Sequence, residues 1–307
     1  MKIIFLGNGN FGTPSFIKLF NSSNDLICLV SNTPKPGGRN KKLNYPKIQE
    51  TAKRLNINII NENNLTDDKF LKKIKNLNPD LFVVVSYKIL PDILLRIPKI
   101  GSINLHASKL PAYRGSSPIQ RALINGDSKI GLTTFILNTG IDKGDIVMQK
   151  TFNYNDKITY TEAHDDLSLK GSDIILESVN MIKSKNFKPQ IQSENDITYA
   201  KKIDKKEYKV NFNNSAIDVH NKIRGLTMPG CYCFYLKKRI KLFETYYNID
   251  IKIDRLNTIG DFKFINNLLY IKCDTGFLTV KKVQLEGKKI INSSDFNNMN
   301  HQINNFT

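Results

Sequence analysis

An α/β fold with two domains is predicted by three features of the sequence. Over roughly the first third of the chain, short apolar runs alternate with helix-like segments, the rhythm of a parallel sheet with crossover helices. The apolar runs are continuous, as in Leu81-Phe82-Val83-Val84-Val85, which suits strands covered on both faces. In the last third, short strand-like runs broken by turns replace that rhythm, the pattern of a small β-barrel. The predicted architecture is a Rossmann-like, mostly parallel sheet with crossover helices, followed by a small OB-like β-barrel domain.

Strands are expected at Lys2–Leu6, Leu26–Ser31, Ile57–Ile60, Leu81–Ser86 and Ser102–Leu105. The helices between them are expected near Thr13–Phe20, Pro46–Leu55 and Asp67–Leu77. Next come a helix at Pro118–Asn125, strand-like runs at Gly131–Leu137 and Asp145–Phe152, and a long helix from Thr159 to Lys183. The stretch Phe187–Lys209 is polar, with one proline and little periodicity, so a linker is expected there. The first domain is therefore read as residues 1–186, the linker as 187–209 and the second domain as 210–307. The second opens with a helix, Ala216–Arg224. Its strands are Cys231–Leu236, Ile240–Phe243, Phe262–Ile265, Leu268–Cys273 and Phe277–Leu285, and the polar tail after Asn297 is expected to fray.

Composition narrows the setting. With 307 residues, 40% hydrophobic and 24% charged, the chain has material for two ordinary cores. The sequence has no apolar run of bilayer length, and Met1-Lys2-Ile3-Ile4-Phe5-Leu6 enters a strand directly, so a cytoplasmic protein without a membrane partner is expected. Cys28, Cys231, Cys233 and Cys273 lack paired zinc spacing and are read as reduced thiols, with no metal. The net charge of +18 favours polyanionic partners. Lysine-rich solvated faces would account for the same number.

Gly7, Gly9 and Gly12 spell G-x-G-x-x-G after the first strand. The second strand ends in Val30-Ser31-Asn32, without the acidic residue that would hold a ribose, so a tight strand-to-helix turn is expected rather than a dinucleotide site. Chemistry is expected elsewhere. Asn104 and His106 are two apart on a strand and so share a face, at the carboxyl edge where α/β sheets place ligands. Asp142 lies in the loop Asn138-Thr139-Gly140-Ile141-Asp142-Lys143-Gly144-Asp145, which can fold a carboxylate back over that edge. Such a trio suits acyl transfer to an amine. A carboxamide donates to a developing oxyanion without ionising. Histidine exchanges protons near neutral pH, and a carboxylate can orient it or accept a proton through water. An Asn-x-His pair on a strand is also compatible with a satisfied polar pair and no catalysis. His164 lies on the acid-rich helix face Glu162-Ala163-His164-Asp165-Asp166-Leu167 and is read as structural, and His220 and His301 have no partner at ligand spacing.

These residues carry a resemblance. Asn104-Leu105-His106-Ala107-Ser108-Lys109-Leu110-Pro111, Tyr113-Arg114-Gly115 and Gly140-Ile141-Asp142-Lys143-Gly144-Asp145 resemble the core motifs of the 10-formyltetrahydrofolate-dependent transferases. The resemblance extends over nearly the whole chain. Pro36-Gly37-Gly38-Arg39-Asn40-Lys41-Lys42-Leu43, Thr198-Tyr199-Ala200-Lys201-Lys202-Ile203 and Val283-Gln284-Leu285-Glu286-Gly287-Lys288-Lys289 are similar to segments of the methionyl-tRNA formyltransferases among them. It implies that Asn104, His106 and Asp142 are catalytic and that Ser108, Lys109, Leu110 and Pro111 contact the folate. It further implies that Arg39, Lys41 and Lys42 meet the acceptor end of initiator methionyl-tRNA, and that residues 210–307 bind tRNA. The co-substrate implied is 10-formyltetrahydrofolate, and a monomer is expected. Departures from the family pattern fall at Asn8, Lys88, Lys109 and Phe212. A formyltransferase acting on a nucleotide-linked amino sugar or an amino-ribonucleotide is the alternative, since it shares the trio without needing the basic loop. An RNA-binding protein with a degenerate site is a third reading.

Overall fold

The computed structural model describes residues 1–37, 42–184, 187–254, 256–298 and 305–306. The first strand, Lys2–Gly7 (β1), leads through a 3₁₀ turn into Thr13–Phe20 (α1), with Pro14 in its first turn, where a missing N–H costs nothing. Then follow Asp25–Ser31 (β2), a short hairpin of Lys35–Gly37 (β3) and Lys42–Asn44 (β4), Lys47–Arg54 (α2) and Asn58–Asn61 (β5). Asp68–Asn76 (α3) starts where the Asp67 carboxylate accepts the Phe70 N–H at 2.9 Å, an N-cap worth about 1 kcal/mol. Leu81–Val85 (β6), Asp92–Leu95 (α4), Gly101–His106 (β7) and the two-residue Arg114–Gly115 (β8) come next. Pro118–Ile124 (α5), Lys129–Ile136 (β9), Ile146–Asn153 (β10), Tyr160–Lys183 (α6) and Tyr199–Ala200 (β11) follow.

Among the described residues, one sheet has the order β10-β9-β7-β6-β1-β2-β5. Strands β7, β6, β1, β2 and β5 run parallel, and β9 pairs antiparallel to β7. Every residue of β6 is buried, which accounts for its unbroken apolar run. On one face Ile4, Leu6, Val30, Phe82 and Val84 pack with Phe70 and Ile74 of α3. Each large side chain so removed from water contributes about 1.5–3 kcal/mol. The expected strands and helices of this region are present within a residue or two at their ends. The hairpin of β3 and β4, and the short α4, carry no periodic signal and were not expected.

Two compact units result. The first comprises Met1–Gly115, Ile130–Phe152 and His164–Ala200; the second comprises Ser116–Lys129, Asn153–Ala163 and Lys201–Thr307. The second unit contains Ala216–Gly225 (α7), capped by the Ser215 hydroxyl, which accepts the Asp218 N–H at 3.1 Å. Its strands are Tyr232–Tyr235 (β12), Lys238–Asn248 (β13), Phe262–Ile265 (β14), Leu268–Lys272 (β15), Phe277–Leu285 (β16) and Ile290–Asn292 (β17), followed by Ser293–Asn297 (α8). They pair antiparallel in the order β12-β13-β16-β15-β14, with β17 on β16. Val219, Ile223, Leu242, Phe262, Leu269 and Leu278 lie at the centre of its core. The tail departs from expectation at Asn305 and Phe306. Phe306 is 2% exposed and stacks on Phe262 at 4.3 Å, because an aromatic ring gains more from that core than a polar tail loses by ordering.

Candidate active site

The carboxyl ends of β1, β6 and β7 lie at one edge of the sheet, because the three strands run parallel. The glycine turn after β1 sits against the end of β6. A Cβ at Gly12 would lie 3.1 Å from the Val85 Cβ, and one at Gly9 would lie 3.2 Å from the Ser86 Cβ. Close packing of that turn explains its glycines. Two of the family departures act in this region. Asn8 Oδ1 accepts the Ser31 hydroxyl at 3.2 Å and the Asn32 N–H at 3.3 Å, tying the turn to the end of β2. The Lys88 ammonium donates to the carbonyls of Asn63 at 2.8 Å and Glu62 at 3.4 Å, anchoring the turn after β6. Next to it, burial pushes the Tyr87 hydroxyl up to about 12, with Glu62 adding to the shift.

Asn104 and His106 share a face of β7, as a period of two requires. His106 is buried, and its Nε2 lies 2.8 Å from the Tyr113 carbonyl. A carbonyl only accepts, so Nε2 carries a proton and Nδ1 faces the site. Nδ1 is 3.8 Å from Asp142 Oδ2, near enough for charge attraction and longer than a hydrogen bond. The tautomer is therefore set by a backbone carbonyl, where the sequence had suggested Asp142. Asp142 takes a left-handed φ of +51°, and its Oδ2 accepts the Gly115 N–H at 2.8 Å. The half-buried Asn104 carboxamide has no hydrogen-bond partner among the described residues.

The turn after β7 is held from β9 and β10. The Thr133 hydroxyl donates to the Ser108 carbonyl at 2.7 Å and accepts the Leu110 N–H at 3.2 Å. Gln149 Nε2 donates to the Leu110 carbonyl at 2.8 Å and to the Thr133 hydroxyl at 2.9 Å. Gly131 lets this turn lie directly on β9, since a Cβ there would meet the Lys109 backbone nitrogen at 2.3 Å. The Ser108 hydroxyl is engaged with the Ala112 carbonyl at 2.6 Å, and Leu110 is buried. Lys109 is exposed and Pro111 half-buried. Of the four positions expected to contact folate, these two offer side-chain surface.

Sequence reasoning missed Thr133, Gln149, Arg114, Gln192 and Thr198. Arg114 lay within a recognised motif, but nothing in the polar stretch around Gln192 and Thr198 singled them out. Arg39 and Lys41 lie outside the described residues; Lys42 begins β4, and its side chain is outside the description. His164 packs edge-on against Phe11 at 5.2 Å, and its Nδ1 lies 3.0 Å from Asp165. His220 is buried between the Asp156 carbonyl and the Thr245 hydroxyl, and burial pushes its pKa down. No cluster of three or more histidine, cysteine or acidic side chains able to hold a metal occurs among the described residues, and no helix there is long and apolar enough to cross a membrane.

Known proteins match this chain across nearly its full length. Residues 1–179 match the family described as formyl transferase, and residues 202–301 match the formyl transferase C-terminal domain; the chain belongs to this family. Within it, the chain is 37% identical over 296 residues to the methionyl-tRNA formyltransferase of Thermodesulfovibrio yellowstonii, covering 96% of this chain and 94% of that one. It is 35% identical to the protein of that name from Clostridium novyi, covering 94% of each. Among solved structures, an N-formyltransferase from Helicobacter canadensis in complex with folinic acid and dTDP-3-aminofucose shares the fold. It has a TM-score of 0.68 and 17% identity, covering 91% of this chain and 98% of that one.

Proposed function

We propose that this chain transfers the formyl group of 10-formyltetrahydrofolate to the amino group of methionine on initiator methionyl-tRNA, giving formylmethionyl-tRNA. The observation that carries the reading is the meeting of His106 and Asp142 beside Asn104, in a chain similar along nearly its whole length to proteins of that activity. The free amine attacks the formyl carbon; a C–N bond forms as the bond to the folate nitrogen breaks. Asn104, with unengaged donors, stabilises the oxyanion; a donor of this kind is worth about 10²–10³ in rate. His106 Nδ1 takes up the amine proton, and Asp142 offsets the imidazolium charge. Closing their separation from 3.8 Å to about 3 Å makes a charge-assisted hydrogen bond. The proton is returned to the departing folate nitrogen.

The residues present suit the co-substrate. An unpartnered carboxamide faces the site, and exposed apolar side chains, Ile89 and Ile141, stand on two of the loops that follow sheet strands. Ser108, Lys109, Leu110 and Pro111 would form the folate contact, with the Lys109 stem in place of a leucine. Arg39, Lys41 and Lys42 would meet the acceptor end of the tRNA, supported by the net charge of +18. We read the protein as a cytoplasmic monomer, with catalysis in the first compact unit, which takes in residues 187–200, and OB-like tRNA binding in the second. The test is incubation with labelled 10-formyltetrahydrofolate and either charged initiator or charged elongator tRNA. Transfer confined to the initiator is expected. Equal transfer to both, or preferential transfer to an amino-sugar nucleotide, would overturn the reading.

A further inference from the structure

The polar stretch before residue 200 is tied to the candidate site at several points. Gln190 and Ile146 exchange backbone hydrogen bonds of 2.7 and 2.8 Å. The Thr198 hydroxyl accepts the Tyr113 N–H at 2.8 Å, and β11 pairs with β8, setting Ala200 beside Gly115. Between these anchors, Gln192 is 7% exposed and uses both ends of its amide. Its Oε1 accepts from Arg114 Nη2 at 2.6 Å and Nε at 3.1 Å. Its Nε2 donates to the carbonyls of Asp142 at 2.9 Å and Gly144 at 2.7 Å.

Asp142 is thus gripped twice. Gln192 holds its backbone carbonyl, and the Gly115 N–H holds its carboxylate, while Arg114 joins the two grips as the neighbour of Gly115 and the partner of Gln192. A non-glycine residue in the left-handed region needs such support, because the conformation is sparsely populated. Only an amide fits position 192. The carboxylate of a glutamate could pair with Arg114, but it would set acceptors against two carbonyls.

We propose that Gln192 is a positioning residue that acts through Asp142, holding its carboxylate within reach of His106; the inference rests on the catalytic role proposed for Asp142. Gln192→Glu retains a partner for the buried Arg114 guanidinium and removes the donors to the Asp142 loop. Its turnover number with charged initiator tRNA is expected to fall at least about tenfold, with KM for 10-formyltetrahydrofolate within about threefold of the parent.

The deciding measurement is a double-mutant cycle with Asp142→Asn. If Gln192 acts through Asp142, Gln192→Glu costs little further once Asp142 is neutralised. A loss that adds in full to that of Asp142→Asn, or a turnover number for Gln192→Glu within twofold of the parent, overturns the proposal. Unchanged turnover in Asp142→Asn itself overturns the parent reading instead. Circular dichroism checks folding of each variant, and Gln192→Met replaces Gln192→Glu in the same cycle if the latter does not fold.

Discussion

Gly131→Ala is expected to damage the candidate site without touching any residue of the trio. The new Cβ would sit 2.3 Å from the Lys109 nitrogen and 2.7 Å from the Lys109 Cα, both backbone atoms. Ordinary contact needs about 3.6 Å, so the turn after β7 must retreat by about 1.3 Å. Its hold on Thr133 lengthens with it: the bonds of 2.7 Å to the Ser108 carbonyl and 3.2 Å from the Leu110 N–H lie on the strand it leaves. Overpacking costs about 1–3 kcal/mol, and each weakened hydrogen bond about 1 kcal/mol. The lower entropy of an unfolded alanine offsets about 0.4–1 kcal/mol. A net loss of about 2–4 kcal/mol follows, read as a fall of about 1 M or more in the urea midpoint. The same displacement, two to three residues from His106, should slow formyl transfer about 10²-fold in single-turnover assays. A variant with unchanged midpoint and unchanged single-turnover rate would refute the close approach of Lys109 to β9.

Three further outcomes are expected. Asn104→Ala should lower turnover about 10²–10³-fold with the fold intact, because it removes one donor to the oxyanion; steady-state kinetics with circular dichroism checks this. Stability should fall as pH drops below the ordinary histidine value of 6.5, because burial lowers the folded pKa of His220 and the unfolded chain takes up the proton first. This contribution is present above 6.5 and lost on the way down to the folded value, with a slope of up to about 1.4 kcal/mol per pH unit, and His220→Gln should flatten it in thermal melts. All four cysteines are buried, and burial raises their thiols, to about 12 for Cys28, Cys231 and Cys273; a thiol reagent at pH 8 should therefore label none in the native protein and all four in denaturant.

Much of the local structure was legible in the residues. Unbroken apolar runs such as Leu81–Val85 declared strands covered on both faces, because burial on two sides tolerates no polar alternation. The two-residue spacing of Asn104 and His106 put them on one face, since successive strand residues point to opposite sides. Other features depend on chain segments far apart in sequence. The nearness of Asp142 to His106, the grip of Gln192 on that loop, the assignment of Ser116–Lys129 and Asn153–Ala163 to the second unit, and the burial of Phe306 belong here. Gln192 lies fifty positions from Asp142, and its stretch of sequence reads as polar and aperiodic. Periodicity reports which face of an element is apolar. It holds no record of which distant backbone carbonyl a buried amide will satisfy, because that partner exists only once the strands between them have packed.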